Sequence, residues 1–311
     1  MAINKAMLSL LKAISYVDID VKKNYKVNRL ATKVLHPSIK LLYQMWDHKV
    51  VAKDGYKIPV RIFLPKQSRT NDVILYFHGG GWVTGDIESY SQTCSTLADT
   101  TGRRVVSVDY RLAPEYPFPY APEDCYLVTR ELFLNKGLLH TENSDIILMG
   151  DSAGGNLAAV VSLMAADRGE FLVQKQVLIY PSTYHDHTLN AKFPSIRENG
   201  TDYLLTSKRI CDYMELYIQN PQDLQNPYFA PLLRENLSGQ PKTLVITAEF
   251  DPLRDEGEAY GKKLRAFGNE VEIHRIPDSL HGFFTLPLKF TAVEDCYQKI
   301  NDFLDGAIHE K

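Results

Sequence analysis

Short apolar runs alternate with helical patterns along the chain from about residue 70 onward. The runs show little polar alternation, as expected for strands buried on both faces of a parallel sheet. The predicted strands are Val73–Phe77, Arg104–Val108, Ile146–Met149, Gln176–Tyr180, Thr243–Thr247 and Val271–Ile276. The predicted helices are Ser91–Asp99, Ala121–Asn135, Asn156–Asp167, Glu256–Phe267 and Ala292–Ile308. This alternation predicts an α/β fold in which helices flank a mostly parallel central sheet.

Two segments do not follow this alternation. Residues 1–48 have helical patterns and precede a hairpin signal, in which Asp54-Gly55 separates the predicted strands Lys49–Ala52 and Lys57–Leu64. Residues 181–242 are too long for an ordinary connection and must contain structure of their own. We expect 49–311 to form the main domain, with 1–48 and part of 181–242 forming a cap over the sheet.

The cap insertion carries its own helix signal. Thr206 or Ser207 can cap a helix that runs to about Ile218, and aromatic residues are frequent in the segment. One of them, Tyr203, is an expected substrate contact.

Composition and charge narrow the classes of partner. The chain has 311 residues, with 35 Lys+Arg against 38 Asp+Glu and a net charge of −3, whereas nucleic-acid or membrane-surface binding needs a basic face. The longest charge-free stretch, Ser152–Ala166, is too short to span a membrane. We expect neither a nucleic-acid nor a membrane partner, and the sequence leaves a homo-oligomer open.

Targeting and redox features favour a cytoplasmic protein. Lys12 interrupts the apolar run Ala6–Val17, and no cleavage pattern follows, so we interpret this run as an amphipathic surface helix rather than a signal peptide. The four cysteines are far apart and form no CxxC motif, which predicts buried free thiols in a reducing compartment.

The pentapeptide Gly150-Asp151-Ser152-Ala153-Gly154 lies between a predicted strand and a predicted helix. A GxSxG pattern alone is weak evidence. A strand-to-helix turn forces strained dihedral angles on the serine, however, and flanking glycines make the crowded turn feasible. The turn presents the hydroxyl at the carboxyl edge of the sheet. We therefore predict that Ser152 is a nucleophile rather than a helix-capping residue.

A glycine-rich loop, His78-Gly79-Gly80-Gly81-Trp82, ends the first strand of the alternation. Its backbone amides, together with that of Ala153, are candidate donors to the oxyanion that forms during acyl transfer. A phosphate-binding loop is excluded, because Asp86-Ile87 stand where that motif requires Lys followed by Ser or Thr. We expect no cofactor, and Trp82 is an expected substrate contact.

A nucleophilic serine needs a histidine base. We interpret His36, His48, His140 and His309 as surface or terminal residues, and His274 as structural. His185 and His187 lack a third metal ligand at suitable spacing, so we predict a solvated loop there and no metal site. His78 belongs to the glycine loop and is expected to fix its conformation. His281, in a loop after the last strand, is the remaining candidate.

The histidine in turn needs an acid to orient it, and four carboxylates follow the strand Thr243–Thr247. Asp255 and Glu256 begin a predicted helix, where capping is their expected role. Asp251 precedes a proline just past the strand, in the loop where an orienting acid belongs. Glu249 is the second choice.

These motifs together resemble the hormone-sensitive-lipase family of α/β-hydrolases, which includes bacterial acetyl esterases and carboxylesterases. The matching stretches are His78–Trp82, Asp109–Glu115, Gly150–Asn156, Asp251–Gly257 and His281–Phe283. The resemblance implies the α/β-hydrolase fold, with Ser152 as nucleophile, Asp251 as acid and His281 as base. It also implies an oxyanion hole from Gly80 and Gly81 with Ala153, and a structural role for Arg111 and Glu115.

The expected function is hydrolysis of esters with short acyl chains through an acyl-enzyme, with a small-molecule ester as the partner. The preference for short chains rests on the aromatic-rich cap, on the lack of an exposed apolar segment that could act as an interfacial anchor, and on the resemblance. A non-hydrolytic small-molecule receptor on the same fold is the alternative from another class, although such receptors typically lack the base. Hydrolysis of amides, lactones or acetylated sugars also stays open.

Overall fold

The computed structural model describes residues 21–35, 45–135 and 146–306. The predicted helix Ala6–Val17 lies outside the described residues, as do His36, His140 and His309.

Within the described residues, eight strands form one sheet, and each strand predicted from the sequence corresponds to one of them. The strands are β1 (Met45–Val51), β2 (Lys57–Phe63), β3 (Val73–Phe77), β4 (Arg104–Val108), β5 (Ile146–Asp151), β6 (Lys175–Ile179), β7 (Lys242–Phe250) and β8 (Val271–Leu280). Their order is β1-β2-β4-β3-β5-β6-β7-β8. Strand β2 is antiparallel to both of its neighbours, β1 and β4. Strands β3 to β8 are mutually parallel. The predicted fold class, α/β with a mostly parallel sheet, is confirmed.

The helices lie on both faces of this sheet and in the insertion. They are α1 (Val21–Leu35), α2 (Ser91–Thr101), α3 (Tyr120–Leu134), α4 (Ala153–Arg168), α5 (Pro194–Asn199), α6 (Ser207–Tyr217), α7 (Arg254–Ala266) and α8 (Thr291–Asp305). Short 3₁₀ turns occur at Pro221–Gln225, Pro231–Leu233 and Phe283–Thr285.

The predicted hairpin is confirmed, but its first strand is longer than expected. Strand β1 pairs with β2 from Met45, opposite Phe63, to Val51, opposite Lys57. The predicted boundary at residue 49 is therefore wrong by four residues, because the chain before it is already in the sheet. Asp47 and Lys49 interrupt the apolar residues here, so a search for apolar runs does not find this part of the strand.

Side chains of the central strands point alternately into two apolar clusters. Val73, Leu75 and Phe77 of β3 join the cluster that includes residues of α3 and α4, whereas Ile74 and Tyr76 join the cluster of α2 and α8. Both faces of the sheet are thus covered, which explains why these strands show no polar alternation.

The insertion between β6 and β7 contains α5 and α6. Thr206 caps α6, since its side chain accepts a hydrogen bond from the N–H of Arg209 at 3.2 Å. Helix α1 contacts α6, with Lys22 Nζ 2.5 Å from a Glu215 carboxylate oxygen. Arg29 of α1 also donates to the carbonyl oxygen of Val83 at 2.7 Å, so α1 touches both the insertion and the glycine loop region.

The interpretation of the two insertion histidines as a solvated loop is wrong for His187. Its side chain is fully buried, and its Nε2 lies 2.6 Å from Glu256 Oε2. The other oxygen of Glu256 accepts hydrogen bonds from the N–H groups of Thr183 and Tyr184 at 2.6 and 3.1 Å. Glu256 therefore holds the start of the insertion onto α7 and is not the helix cap that the sequence suggested.

The four cysteines are free thiols. The prediction that they are buried is confirmed for Cys94, Cys125 and Cys296 and is wrong for Cys211, which is half-buried. Arg111 is buried beside Asp124, to which its Nε donates at 2.8 Å, and Glu115 binds Arg29 at 2.9 Å. These two residues of the Asp109–Glu115 stretch thus have structural partners. No helix within the described ranges is long and apolar enough to cross a membrane.

Candidate active site

The predicted turn at Ser152 lies between β5 and α4. Ser152 has φ 55° and ψ −120°, a positive-φ conformation that is rare for a residue with a side chain. A Cβ on Gly150 would lie 2.3 Å from the carbonyl oxygen of Gly154, and a Cβ on Gly154 would lie 1.9 Å from that of Phe77. Both flanking positions therefore require glycine for the turn to pack against β3.

Ser152 contacts His281, which in turn contacts the buried carboxylate of Asp251. Asp251 comes directly after β7 and His281 directly after β8. The Nε2 of His281 lies 2.9 Å from Ser152 Oγ, and its Nδ1 lies 2.7 Å from Asp251 Oδ2. Asp251 is fully buried and also accepts a hydrogen bond from the N–H of Leu253 at 2.9 Å. In this geometry the histidine can take a proton from the serine while the carboxylate orients the ring.

The competing carboxylates point elsewhere. Glu249, the second choice from sequence, accepts a hydrogen bond from the N–H of Asp278 at 2.7 Å. Asp255 accepts one from the N–H of Ser195 at 2.8 Å, so it ties α7 to α5 instead of capping its own helix.

The glycine loop lies against the turn at Ser152. The N–H of Gly79 donates to Asp151 Oδ1 at 2.9 Å, so the expectation that this amide serves an oxyanion is wrong. The amides of Gly80, Gly81 and Ala153 have no hydrogen-bond partner within the described residues. All three residues line the cavity above Ser152, and their amides are the donors left for a developing negative charge.

Two buried side chains hold this loop in place. Asp151 accepts hydrogen bonds from the Gly79 amide and from the hydroxyls of Tyr76 and Tyr90, at 2.9, 2.8 and 3.0 Å. Its burial raises the pKa of the carboxyl above the usual value. The His78 ring is also buried, with Nδ1 2.8 Å from the carbonyl oxygen of Gly79. Burial lowers the pKa of His78, which favours the neutral ring. His78 thus contacts the loop that it was expected to fix.

A cavity of about 210 Å³ opens at Ser152. Its walls come from the glycine loop, the turn at Ser152, the loop at His281 and the insertion. The lining residues are Gly80, Gly81, Trp82, Tyr90, Asp151, Ser152, Ala153, Ser182, Leu205, Ile210, Tyr213, Leu253, His281, Gly282 and Thr285. No Lys or Arg of the described chain is among them. The cavity is therefore mostly uncharged and small.

Of the two expected substrate contacts, only Trp82 lines the cavity. Its side chain is buried and stacks on Tyr217, with ring centroids 4.5 Å apart. Tyr203 does not line the cavity, and its ring stacks on Phe250 at 5.1 Å. Tyr203 lies outside this cavity because the chain turns its ring towards Phe250 at the end of β7 before α6 begins.

Sequence reasoning missed the apolar wall from the insertion. Ile210 and Tyr213 of α6, together with Leu205 just before it, line the cavity. The three-residue spacing of Ile210 and Tyr213 on a predicted helix was the available signal, since residues three apart share a helix face.

The expected lack of an exposed apolar segment is also wrong. Leu286, Leu288 and Phe290 are 48, 41 and 46% exposed, and they follow Thr285 of the cavity wall. A preference for short chains therefore cannot rest on that argument.

Comparison with known proteins agrees with this fold. Residues 74–285 match the alpha/beta hydrolase fold family. Because this match covers more than half of the chain, the protein belongs to that family.

Several named relatives and solved structures are similar over most of the chain. The arylesterase of Saccharolobus solfataricus is 38% identical over 84% of this chain and 83% of the relative. Esterase LipI of Mycobacterium tuberculosis is 36% identical over 91% of this chain and 88% of the relative. The structure of a hyperthermophilic esterase from the archaeon Pyrobaculum calidifontis has a TM-score of 0.85 and 33% identity, and the match covers 99% of both chains.

Proposed function

We propose that the protein hydrolyses esters of short acyl chains, acetyl to butyryl or hexanoyl, through a covalent acyl-enzyme on Ser152. The protein is a carboxylic ester hydrolase: it belongs to the alpha/beta hydrolase fold family, and its relatives of 36–38% identity are named esterases. One observation carries the finer proposal. The hydrogen-bonded series Ser152–His281–Asp251 faces a small cavity, whose walls include three backbone amides that have no hydrogen-bond partner within the described residues.

The first half of the reaction forms the acyl-enzyme. His281 Nε2 takes the Ser152 hydroxyl proton while Ser152 Oγ bonds to the ester carbonyl carbon. The amides of Gly80, Gly81 and Ala153 donate to the oxyanion of the tetrahedral intermediate. The intermediate collapses with cleavage of the carbon–alkoxide bond, and His281 gives its proton to the departing alcohol. Asp251 holds the ring orientation and stabilises the imidazolium throughout.

The second half releases the acid. Water loses a proton to His281 Nε2 as its oxygen bonds to the acyl carbon, and the same amides again hold the oxyanion. Collapse breaks the bond to Ser152 Oγ, which recovers the proton from His281. The products are one carboxylic acid and one alcohol, and the enzyme returns to its starting state.

Cavity size and polarity support the substrate class. The cavity of about 210 Å³ is below the range usual for ligand pockets, roughly 300–1,000 Å³. Leu205, Ile210 and Leu253 give it an apolar wall, and no basic side chain of the described residues lines it. We propose that α6 and its flanking insertion act with α1 as a cap that sets this size.

A chain-length panel tests the proposal. Esters of p-nitrophenol with acetate, butyrate, hexanoate and palmitate share one leaving group, so differences in kcat/KM report the acyl side. We expect butyrate to exceed palmitate by a hundredfold or more, because each misplaced methylene group in a closed pocket loses about 1 kcal/mol or more of binding. Faster hydrolysis of palmitate would contradict the short-chain assignment but leave the esterase assignment in place.

A further inference from the structure

The glycine loop at the site is covered by a ring from the cap helix. Tyr213 of α6 lies so close to Gly81 that a Cβ on this glycine would be 2.6 Å from Tyr213 Cγ and within 2.9 Å of both adjacent ring carbons. Gly81 has φ +61°, so both its conformation and its lack of a side chain are needed for this contact. The ring therefore rests directly on the backbone that carries a candidate oxyanion donor.

The turn under the Tyr213 ring is closed by its own hydrogen bonds. The N–H and the hydroxyl of Thr84 both donate to the carbonyl oxygen of Gly80, at 2.9 and 3.0 Å. Because this turn carries the Gly80 and Gly81 amides, a ring packed on Gly81 restrains the position of both amides.

A second tyrosine of α6 fixes the residue that follows Gly81. Tyr217 lies one helical turn after Tyr213, on the same face of α6. Its ring stacks on Trp82 with an interplanar angle of 5°. The N–H of Phe118 donates to the Tyr217 carbonyl oxygen at 2.7 Å, which ties the end of α6 to the main domain. Helix α6 therefore packs against the glycine loop while its own end is hydrogen-bonded to Phe118.

We propose that Tyr213 is a positioning residue that sets the geometry of the Gly80 and Gly81 amides, so that the cap helix takes part in stabilising the oxyanion as well as in shaping the pocket. This inference rests on the proposed function. Donors act only if they stand at hydrogen-bond distance from the place where the charge develops. Loosening the loop therefore slows the reaction more than it weakens the binding of the neutral ester.

The test uses Tyr213→Leu, which keeps an apolar side chain but removes the flat ring and the hydroxyl. Tyr228→Leu is the matched control, because Tyr228 lies in the same insertion, bonds Asp167 and does not line the cavity. With p-nitrophenyl acetate we expect kcat of the Tyr213 variant to fall about tenfold, with KM changed less than threefold. Loss of a whole oxyanion donor costs about 10²–10³, and a displaced donor costs less.

A second measurement separates positioning from general structural damage. An alkyl trifluoromethyl ketone adds to Ser152 as a hemiketal whose oxyanion needs the same amides, so its inhibition constant should weaken about tenfold in the Tyr213 variant. Fluorophosphonate titration counts the competent sites, and both kcat values are expressed per site. The Tyr228 variant should match the wild type in kcat and in the inhibition constant.

The outcomes are distinct. Parallel losses in kcat and ketone affinity support the inference. Unchanged values, or a loss of kcat without a loss of ketone affinity, overturn it. If the leucine variant does not fold, Tyr213→Met, which also removes the ring from Gly81, decides: matched losses in kcat and ketone affinity support the inference, and no change overturns it. A wild type without esterase activity would contradict the proposed function itself, and this inference with it.

Discussion

Asp151 is a buried carboxylate that stands directly beside the candidate nucleophile. It receives hydrogen bonds from the Gly79 amide and from two tyrosine hydroxyls, and in this way it fastens the glycine loop to the turn at Ser152. Even with these donors, burial raises the pKa of the carboxyl. The charged form of Asp151, which links the glycine loop to the turn at Ser152, therefore lowers the stability of the folded protein.

This raised pKa predicts a pH dependence of stability. The native state binds the Asp151 proton more readily than the unfolded chain, so the stability this proton contributes is present below the usual pKa of 3.8 and is lost as the pH rises through the native pKa. We therefore expect the wild type to lose stability relative to Asp151→Asn as the pH rises above 3.8, by about 1.4 kcal/mol for each pH unit between the two pKa values.

Urea unfolding of both proteins at a series of pH values measures this difference. The amide of the variant does not titrate, and the other titratable groups are common to both proteins. The difference in stability between the two proteins therefore reports the Asp151 carboxyl. A relative stability of the wild type that increases across this range would contradict the prediction, since it would mean that the native state favours the charged carboxylate.

At the scale of elements, the insertion is fastened to the main domain through a buried pair. Glu256 at the start of α7 accepts two backbone N–H groups of the insertion, and its remaining oxygen meets His187. On the other side, His187 Nδ1 lies 3.2 Å from Met214 Sδ of α6. The His187–Glu256 pair therefore connects α7, which follows Asp251, with α6, which lines the cavity.

We expect His187→Ala to lower the free energy of unfolding by about 3 kcal/mol, because it leaves the buried Glu256 carboxylate without its side-chain partner. His185→Ala is the matched control: His185 lies two residues away and is half-buried, so we expect a change below about 1 kcal/mol. Urea unfolding at pH 7 measures both. Equal effects of the two substitutions would show that the buried contact contributes no particular stability.

Some residue roles in the fold could be predicted from the sequence, and others, mainly in the insertion, could not. Strands such as Val73–Phe77 are predictable because burial on both faces leaves an unbroken apolar run, and the capping position of Thr206 follows from local chemistry. Side chains whose roles depend on distant partners are not predictable in this way. From the sequence, His187 was expected in a solvated loop and Tyr203 was expected to contact the substrate, but tertiary packing gives them Glu256 and Phe250 as neighbours.

The same reasoning applies to the site. Ser152, Asp251 and His281 could be selected because each follows a predicted strand in a loop, and parallel strands bring their carboxyl ends to one edge of the sheet. The amide of Gly79 could not be excluded from sequence. Its use by Asp151 depends on how the glycine loop meets the turn, which only three-dimensional packing determines.

At the scale of the whole molecule, the sheet brings the candidate catalytic groups to one edge, and the insertion lines the cavity beside them. Strands β3, β5, β7 and β8 deliver the glycine loop, Ser152, Asp251 and His281 to the same edge. Helix α1 bridges the two parts, since Lys22 pairs with Glu215 of α6 and Arg29 holds the Val83 carbonyl after the glycine loop. The near-neutral charge of the chain fits a substrate that needs no electrostatic steering.

The central claim is that Ser152 is the nucleophile of an ester hydrolase, and Ser152→Ala tests it most directly. Hydrolysis of p-nitrophenyl butyrate should fall by about 10³-fold or more in kcat, because the acyl-enzyme can no longer form. Ser238→Ala, an exposed serine away from the cavity, should hydrolyse the ester at the wild-type rate. A Ser152→Ala protein that folds normally and turns over at a near wild-type rate would contradict the account.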